Sequence, residues 1–165
     1  MRKFLTALLL SITCIAGAQV DTISAPFQKF PNNIPLDLLL VDSNTVMTSE
    51  GLNEERPFML ILFSPECEHC KKATEDIINN IGLFKDIDII MATPLPFDEM
   101  KKFYTDYQLS RFPNIVMGRD HRFMLPSYYQ VRYLPFLAFY GKNRKLIGFS
   151  AQAMNASDMA AYFRK

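Results

Sequence analysis

Residues 57–63, PFMLILF, are apolar at every position, the pattern of a strand covered on both faces. From Glu68 the spacing changes. Cys70, Ala73, Ile77 and Ile81 recur at helical steps with Thr74 and Ile78 beside them, and Gly82 supplies a stop. DIDIIMA (86–92) predicts a second buried strand, and TPLPF leads from it into a helix over roughly 98–108. NIVM (114–117) reads as a short strand, and residues 118–130 as irregular or briefly helical. PFLAFY (135–140) and LIGFS (146–150) flank the turn GKNRK as a strand pair, and Asn155 or Ser157 caps a last helix ending near Phe163. Upstream, LDLLLVDSNTVMT (36–48) predicts a hairpin turning at Asp42-Ser43-Asn44, with a polar connection over 51–56. Residues 19–35, broken by Pro26, Pro31 and Pro35, read as an extended lead-in.

Helices between buried strands imply parallel pairing, while the last two strands pair antiparallel. The expected class is therefore α/β: a mixed β-sheet flanked by helices on both faces, with an N-terminal β-hairpin. No internal repeat or low-complexity tract interrupts it.

The first residues change the chemical setting. Arg2 and Lys3 precede an apolar stretch from Phe4 to about Ile15, which closes on Ala16-Gly17-Ala18, the small-x-small pattern of a cleavage site. Residues 1–18 are read as a signal peptide and 19–165 as one domain in the periplasm. Lipoprotein processing at Cys14 is disfavoured by Thr13, which stands where Gly, Ala or Ser is usual. Losing Arg2 and Lys3 turns the formal net charge from +1 to −1. With no basic cluster, nucleic acid is excluded as a partner. No later apolar run is long enough to span a membrane.

Removal of Cys14 leaves Cys67 and Cys70, in SPECEHC (64–70). Cys67 falls where strand gives way to helix. The unpaired N–H groups and partial positive charge of a first helical turn favour an anion, and the thiolate is the form that attacks a disulfide. Cys70 shares the buried helix face with Ala73 and Ile77. Two unequal sulfurs result, one to attack a partner and one to resolve the mixed disulfide. As a staple the pair closes too small a loop to matter much. As a zinc site it lacks a second ligand pair. Cu(I) needs fewer ligands, so a copper carrier using Cys67, Cys70 and either His69 or His121 is the rival reading. His69 is positioned to stabilise a Cys67 thiolate, whereas Glu66 and Glu68 oppose it. Redox chemistry of this kind needs no cofactor, since the electrons reside in the two sulfurs. The methionines form no Met-x-Met or Met-x-x-Met cluster and read as core filler. Asn155-Ala156-Ser157 is a lone glycosylation sequon, to which little weight is attached.

Three segments together resemble the thioredoxin superfamily, specifically its exported TlpA/ResA-like branch of thiol–disulfide oxidoreductases. PFMLILFSPECEHC resembles the strand and active-site motif. The stretch from DIDIIMA to FPNIVM resembles the inserted βα unit of that branch. YQVRYLPFLAFYGKNRKLIGFS resembles the cis-proline segment and terminal hairpin. The resemblance implies a thioredoxin-like fold with Cys67 as nucleophile and Cys70 as resolver. It makes Pro135 the cis-proline and Leu134 the residue whose main chain meets the client. It further implies protein disulfide or dithiol clients, a membrane redox partner, and reduction rather than oxidation of the clients. Tyr128, Tyr129 and Tyr133 either line the same docking groove or pack in the core, and packing is the commoner role for aromatics beside a core strand. Departures from the family pattern are Glu66 where Trp is frequent, Ile61 where thioredoxins bury an acid, and Leu134 where Thr or Val is common. Peroxiredoxins, a related group, place a proline where Leu60 stands, although Ser64 matches their hydroxyl position, so peroxide reduction is not expected.

Overall fold

The structure, a computed structural model, describes residues 24–164. The expected signal peptide and Cys14 lie outside the described residues. Seven strands make one mixed sheet: β1 (Asp37–Leu40), β2 (Val46–Thr48), β3 (Phe58–Leu62), β4 (Asp88–Thr93), β5 (Ile115–Arg119), β6 (Phe136–Tyr140) and β7 (Leu146–Ser150). Their order is β2-β1-β5-β4-β3-β6-β7. β3, β4 and β5 run parallel, and β6 and β7 return antiparallel on one side. The N-terminal hairpin β1–β2 extends the other side, with β1 antiparallel to β5. Gly118 permits this last pairing, because a Cβ there would lie 2.7 Å from Leu38 Cβ.

The helices are α1 (Pro26–Lys29), α2 (Glu68–Asn79), α3 (Phe97–Asp106), α4 (Met124–Tyr129) and α5 (Ala156–Ala161). They cover both faces. Met59, Ile61 and Phe63 project into a core closed by α2, α3 and α5, and the alternate positions Phe58, Leu60 and Leu62 into a second core closed by α1 and α4. Period-two alternation thus explains why the run over 57–63 has no polar position.

Three details depart from the sequence reading. The lead-in is not wholly extended: Pro26 opens α1, where its missing N–H costs nothing, and Phe27 is buried among Tyr128, Tyr129 and Phe136. α2 ends two residues earlier than the apolar spacing predicts. Its stop is Asn80, whose Nδ2 donates to Asp76 O, while Gly82 sits inside the 3-10 turn Ile81–Phe84 with ordinary φ. α5 is shorter than predicted, six residues capped by Asn155 Oδ1 accepting from Asp158 N, and a 3-10 turn Tyr162–Arg164 follows.

α4 occupies the stretch expected to be irregular or briefly helical. Asp120, at the end of β5, holds its first turn. The carboxylate is 2 % exposed, and its two oxygens accept Met124 N at 3.1 Å and Leu125 N at 2.8 Å. α4 in turn supports the segment leading to Pro135.

Candidate active site

β3, a central strand, delivers the chain at its C-terminal end to a tight turn, Ser64-Pro65-Glu66-Cys67, in which Cys67 N donates to Ser64 O at 3.1 Å. Cys67 is the N-cap of α2. Its Sγ accepts from Cys70 N at 3.3 Å, the geometry that a serine or aspartate oxygen adopts at this position. From the other side, the Cys67 thiol donates towards Leu134 O at 3.7 Å. The Leu134–Pro135 peptide bond is cis. Two segments far apart in sequence therefore meet at one sulfur: the start of α2 and the loop entering β6.

Cys67 is partly exposed and Cys70 is 1 % exposed; both are free thiols. Cys70 packs in the same core as Ile61, Phe63 and Ala73. Burial pushes its thiol from 9.0 up to about 12, and the hydrogen bond with the Cys67 side chain adds to the effect. Among the described residues the one buried carboxylate is Asp120, already committed to α4. Ile61 thus leaves the resolving thiol in an apolar wall without a buried acid beside it.

This inequality predicts an order of alkylation. At about pH 8 a thiol pushed up to about 12 carries only about one part in ten thousand as thiolate, and Cys70 is also wholly buried while Cys67 is partly exposed. Iodoacetamide should modify Cys67 first and spare Cys70, and the Cys70 rate should climb about tenfold per pH unit towards about 12. Mass spectrometry of the alkylated chain measures both, and equal rates for the two thiols would contradict the assignment. The sign for stability follows from the same shift. The raised value favours the reduced fold below the ordinary thiol range, and this contribution is lost as pH rises from about 9 towards about 12, because unfolding then releases a proton.

The other expected site residues lie around this pair. Glu68 is exposed and paired with Lys71, Nζ to Oε1 2.6 Å, which holds its carboxyl below the usual range through that hydrogen bond and the lysine's charge. Its charge is directed along the helix surface. His69 is exposed and lies with Tyr133, Leu134 and Gln152 on the wall of one groove. Among the described residues it makes no hydrogen bond to either sulfur. No three His, Cys, Asp or Glu side chains among the described residues come together as a metal site. Of the three tyrosines read as packing, Tyr128 and Tyr129 are buried, and Tyr129 shares a 2.7 Å hydroxyl hydrogen bond with Tyr140. Tyr133 is different: it is 72 % exposed, because it stands in the loop outside β6 and not on a strand. Its sequence signal was available in its neighbours, since it lies between Arg132 and the Leu134-Pro135 pair rather than in an apolar run.

A second groove opens between α2 and α3. Its lining includes Pro65, Phe103 and Tyr107 with four carboxylates, Glu66, Glu75, Glu99 and Asp106, against two lysines, Lys71 and Lys102.

No family model matches this chain, and no curated protein sequence does. Solved structures do match it. A secreted Mycobacterium tuberculosis disulfide oxidoreductase homologous to E. coli DsbE superposes with a TM-score of 0.65 at 16 % identity, over 78 % of this chain and 94 % of that one. A thioredoxin-like protein from Aeropyrum pernix matches with a TM-score of 0.63 at 12 % identity, over 82 % and 91 %. The peroxidoxin BcpB from Mycobacterium tuberculosis matches with 0.65 at 15 % identity, over 78 % and 90 %. The chain therefore has the thioredoxin-like fold, an α/β architecture with a mixed sheet between helices. No helix among the described residues is long and apolar enough to cross a membrane.

Proposed function

We propose that this chain is an exported thiol–disulfide oxidoreductase that reduces disulfides in other envelope proteins. The observation that carries this reading is the pair of unequal sulfurs at the start of α2, with Cys67 Sγ facing the Leu134 carbonyl beside the cis peptide bond. A thiol that is only half-covered and a neighbour that is wholly buried are what a two-step exchange needs.

In the first step the Cys67 thiolate attacks one sulfur of the client's disulfide. That S–S bond breaks, the client's other sulfur leaves as a thiolate and takes up a proton, and Cys67 is joined to the client. In the second step Cys70 loses its proton and attacks Cys67 Sγ. The mixed disulfide breaks, the second client sulfur leaves and is protonated, and Cys67–Cys70 becomes the disulfide. The client has gained two electrons and two protons, and the protein has lost them. A dithiol donor, supplied in the envelope by a membrane-bound redox partner, restores the reduced pair. Leu134 and Pro135 present the edge on which the client's main chain docks.

Reduction is the direction that the TlpA/ResA-like resemblance implies. At Cys67 the Leu134 carbonyl facing the sulfur favours the thiol and the Cys70 N–H at 3.3 Å favours the thiolate, so these two contacts oppose each other. His69, whose support of a Cys67 thiolate would weaken the disulfide and favour oxidation of clients, lines the neighbouring groove and makes no hydrogen bond to the sulfur among the described residues. On this reading residues 1–18 are removed on export and the domain 19–165 works in the periplasm, a setting supported by the likeness to a secreted DsbE-like structure. The test is catalysed reduction of a disulfide-bonded polypeptide by a dithiol. The chain should accelerate it well above the uncatalysed rate; no acceleration would overturn the reading.

A further inference from the structure

Tyr133 separates two cavities that belong to one trough. The first, about 750 Å³, is lined by His69, Tyr133, Leu134 and the segment Ala151, Gln152 and Ala153. The second, about 330 Å³, lies beyond Tyr133 and is floored by Phe27, Tyr129, Phe136 and Phe149, with Arg132 on its rim. Tyr133 and Ala151 line both. The first cavity is linked to the reacting sulfur through Leu134, which lines it and whose carbonyl faces Cys67 Sγ at 3.7 Å.

Two physical features of the trough select its occupant. Its floor is aromatic: Phe149 is 43 % exposed although its ring meets Phe27 edge-on at 4.9 Å, and Tyr133 is 72 % exposed. Neither cavity has a carboxylate in its lining, and its charged or chargeable members are Arg132 and His69. The groove between α2 and α3 is the opposite in charge, with four carboxylates against two lysines. A client segment that leaves Cys67 along the trough meets apolar rings and a guanidinium. A basic segment is drawn instead to the α2–α3 side.

We propose that this trough is a specificity groove for the client. It takes an extended, neutral or acidic stretch of polypeptide carrying a large aromatic or aliphatic side chain within about three residues of the cysteine under attack, because Tyr133 is the chain neighbour of the Leu134 that faces Cys67 and an extended chain advances about 3.3 Å per residue. The apolar side chain packs on Tyr133 and Phe149, and the main chain lies along Leu134. The inference rests on the thiol–disulfide reading and adds the chemical class of client.

The probes are disulfide-bonded peptides that differ only in phenylalanine or serine at positions near the cysteine, with a small aliphatic disulfide as a reference for the wild-type chain. For the wild type, kcat/KM should favour the best-placed phenylalanine peptide about tenfold, as burial of part of an aromatic ring on an apolar floor requires. In Tyr133→Ala, at an exposed loop position where folding is not at stake, that ratio should fall to near one. In Glu99→Gln, in the groove between α2 and α3, the tenfold ratio should persist. A ratio near one in the wild type while the small disulfide is still exchanged overturns the groove and leaves the oxidoreductase reading standing. Failure to exchange the small disulfide overturns that reading itself. If the wild type sediments as a dimer and Tyr133→Ala as a monomer, the trough is covered by a second copy of the chain and the client proposal is wrong.

Discussion

Serine in place of Cys67 should abolish disulfide exchange, lowering the rate by at least about a thousandfold, because an alcohol at neutral pH cannot supply the attacking anion. The variant should still fold. Serine is a good N-cap, and its oxygen can accept the same Cys70 N–H that Cys67 Sγ accepts at 3.3 Å. Loss of activity would therefore report on the sulfur and not on α2. Serine in place of Cys70 should behave differently. The first half-reaction survives, the second has no nucleophile, and clients accumulate in covalent linkage to Cys67. Non-reducing electrophoresis followed by mass spectrometry should show adducts that a dithiol releases. Cys70→Ser should also destabilise the chain modestly, since it puts a hydroxyl into a site that is 1 % exposed and walled by Ile61, Phe63 and Ala73. Full turnover by either variant would contradict the assignment of roles.

The second large effect is on stability and falls outside the cysteine pair. Asp120→Ala should cost about 2–4 kcal/mol, because it strips acceptors from the Met124 and Leu125 N–H groups, and Leu125 is itself fully buried. Asp120→Asn retains one acceptor oxygen and should lose roughly half as much. Urea unfolding followed by circular dichroism gives both values. A loss below about 0.5 kcal/mol for the alanine variant would mean that water or rearranged backbone replaces the carboxylate. The consequence reaches the active site, because α4 carries Tyr128 and Tyr129 and leads directly into the loop that presents Leu134 to Cys67.

Much of this architecture is legible in the chain, for physical reasons that differ by element. β3 is unmistakable because both of its faces are covered, so no polar residue interrupts the run over 57–63. The inequality of the two sulfurs is legible from helical phase alone, since Cys70 is in register with Ala73 and Ile77 while Cys67 precedes the first turn. What is illegible depends on contacts distant in sequence. The helix over Pro26–Lys29 has no periodicity to betray it and exists because Phe27 finds Tyr129, Phe136 and Phe149 across the fold. The placing of β1 against β5 requires Gly118 to sit under Leu38, a pairing that no local pattern announces. Asp120 reads locally as a turn residue in GRDHRF, and only the fold reveals it as a buried cap. Tyr133 is the instructive case. Weighed as one aromatic among three it reads as packing rather than groove lining, yet in the loop outside β6 its ring is 72 % exposed and lines the groove with His69 and Leu134.

The central claim is that Cys67 and Cys70 form a reversible two-electron couple poised for reduction of other proteins. Equilibrating the purified chain in thiol buffers of defined potential, trapping with acid and counting free thiols by mass tests it most directly. The account predicts one cooperative transition between dithiol and disulfide, with its midpoint nearer to about −270 mV, the thioredoxin value, than to about −120 mV, the value of the oxidant DsbA. A midpoint near the second figure would make the chain a donor of disulfides, and two thiols that never pair in the most oxidising buffer would contradict the account outright.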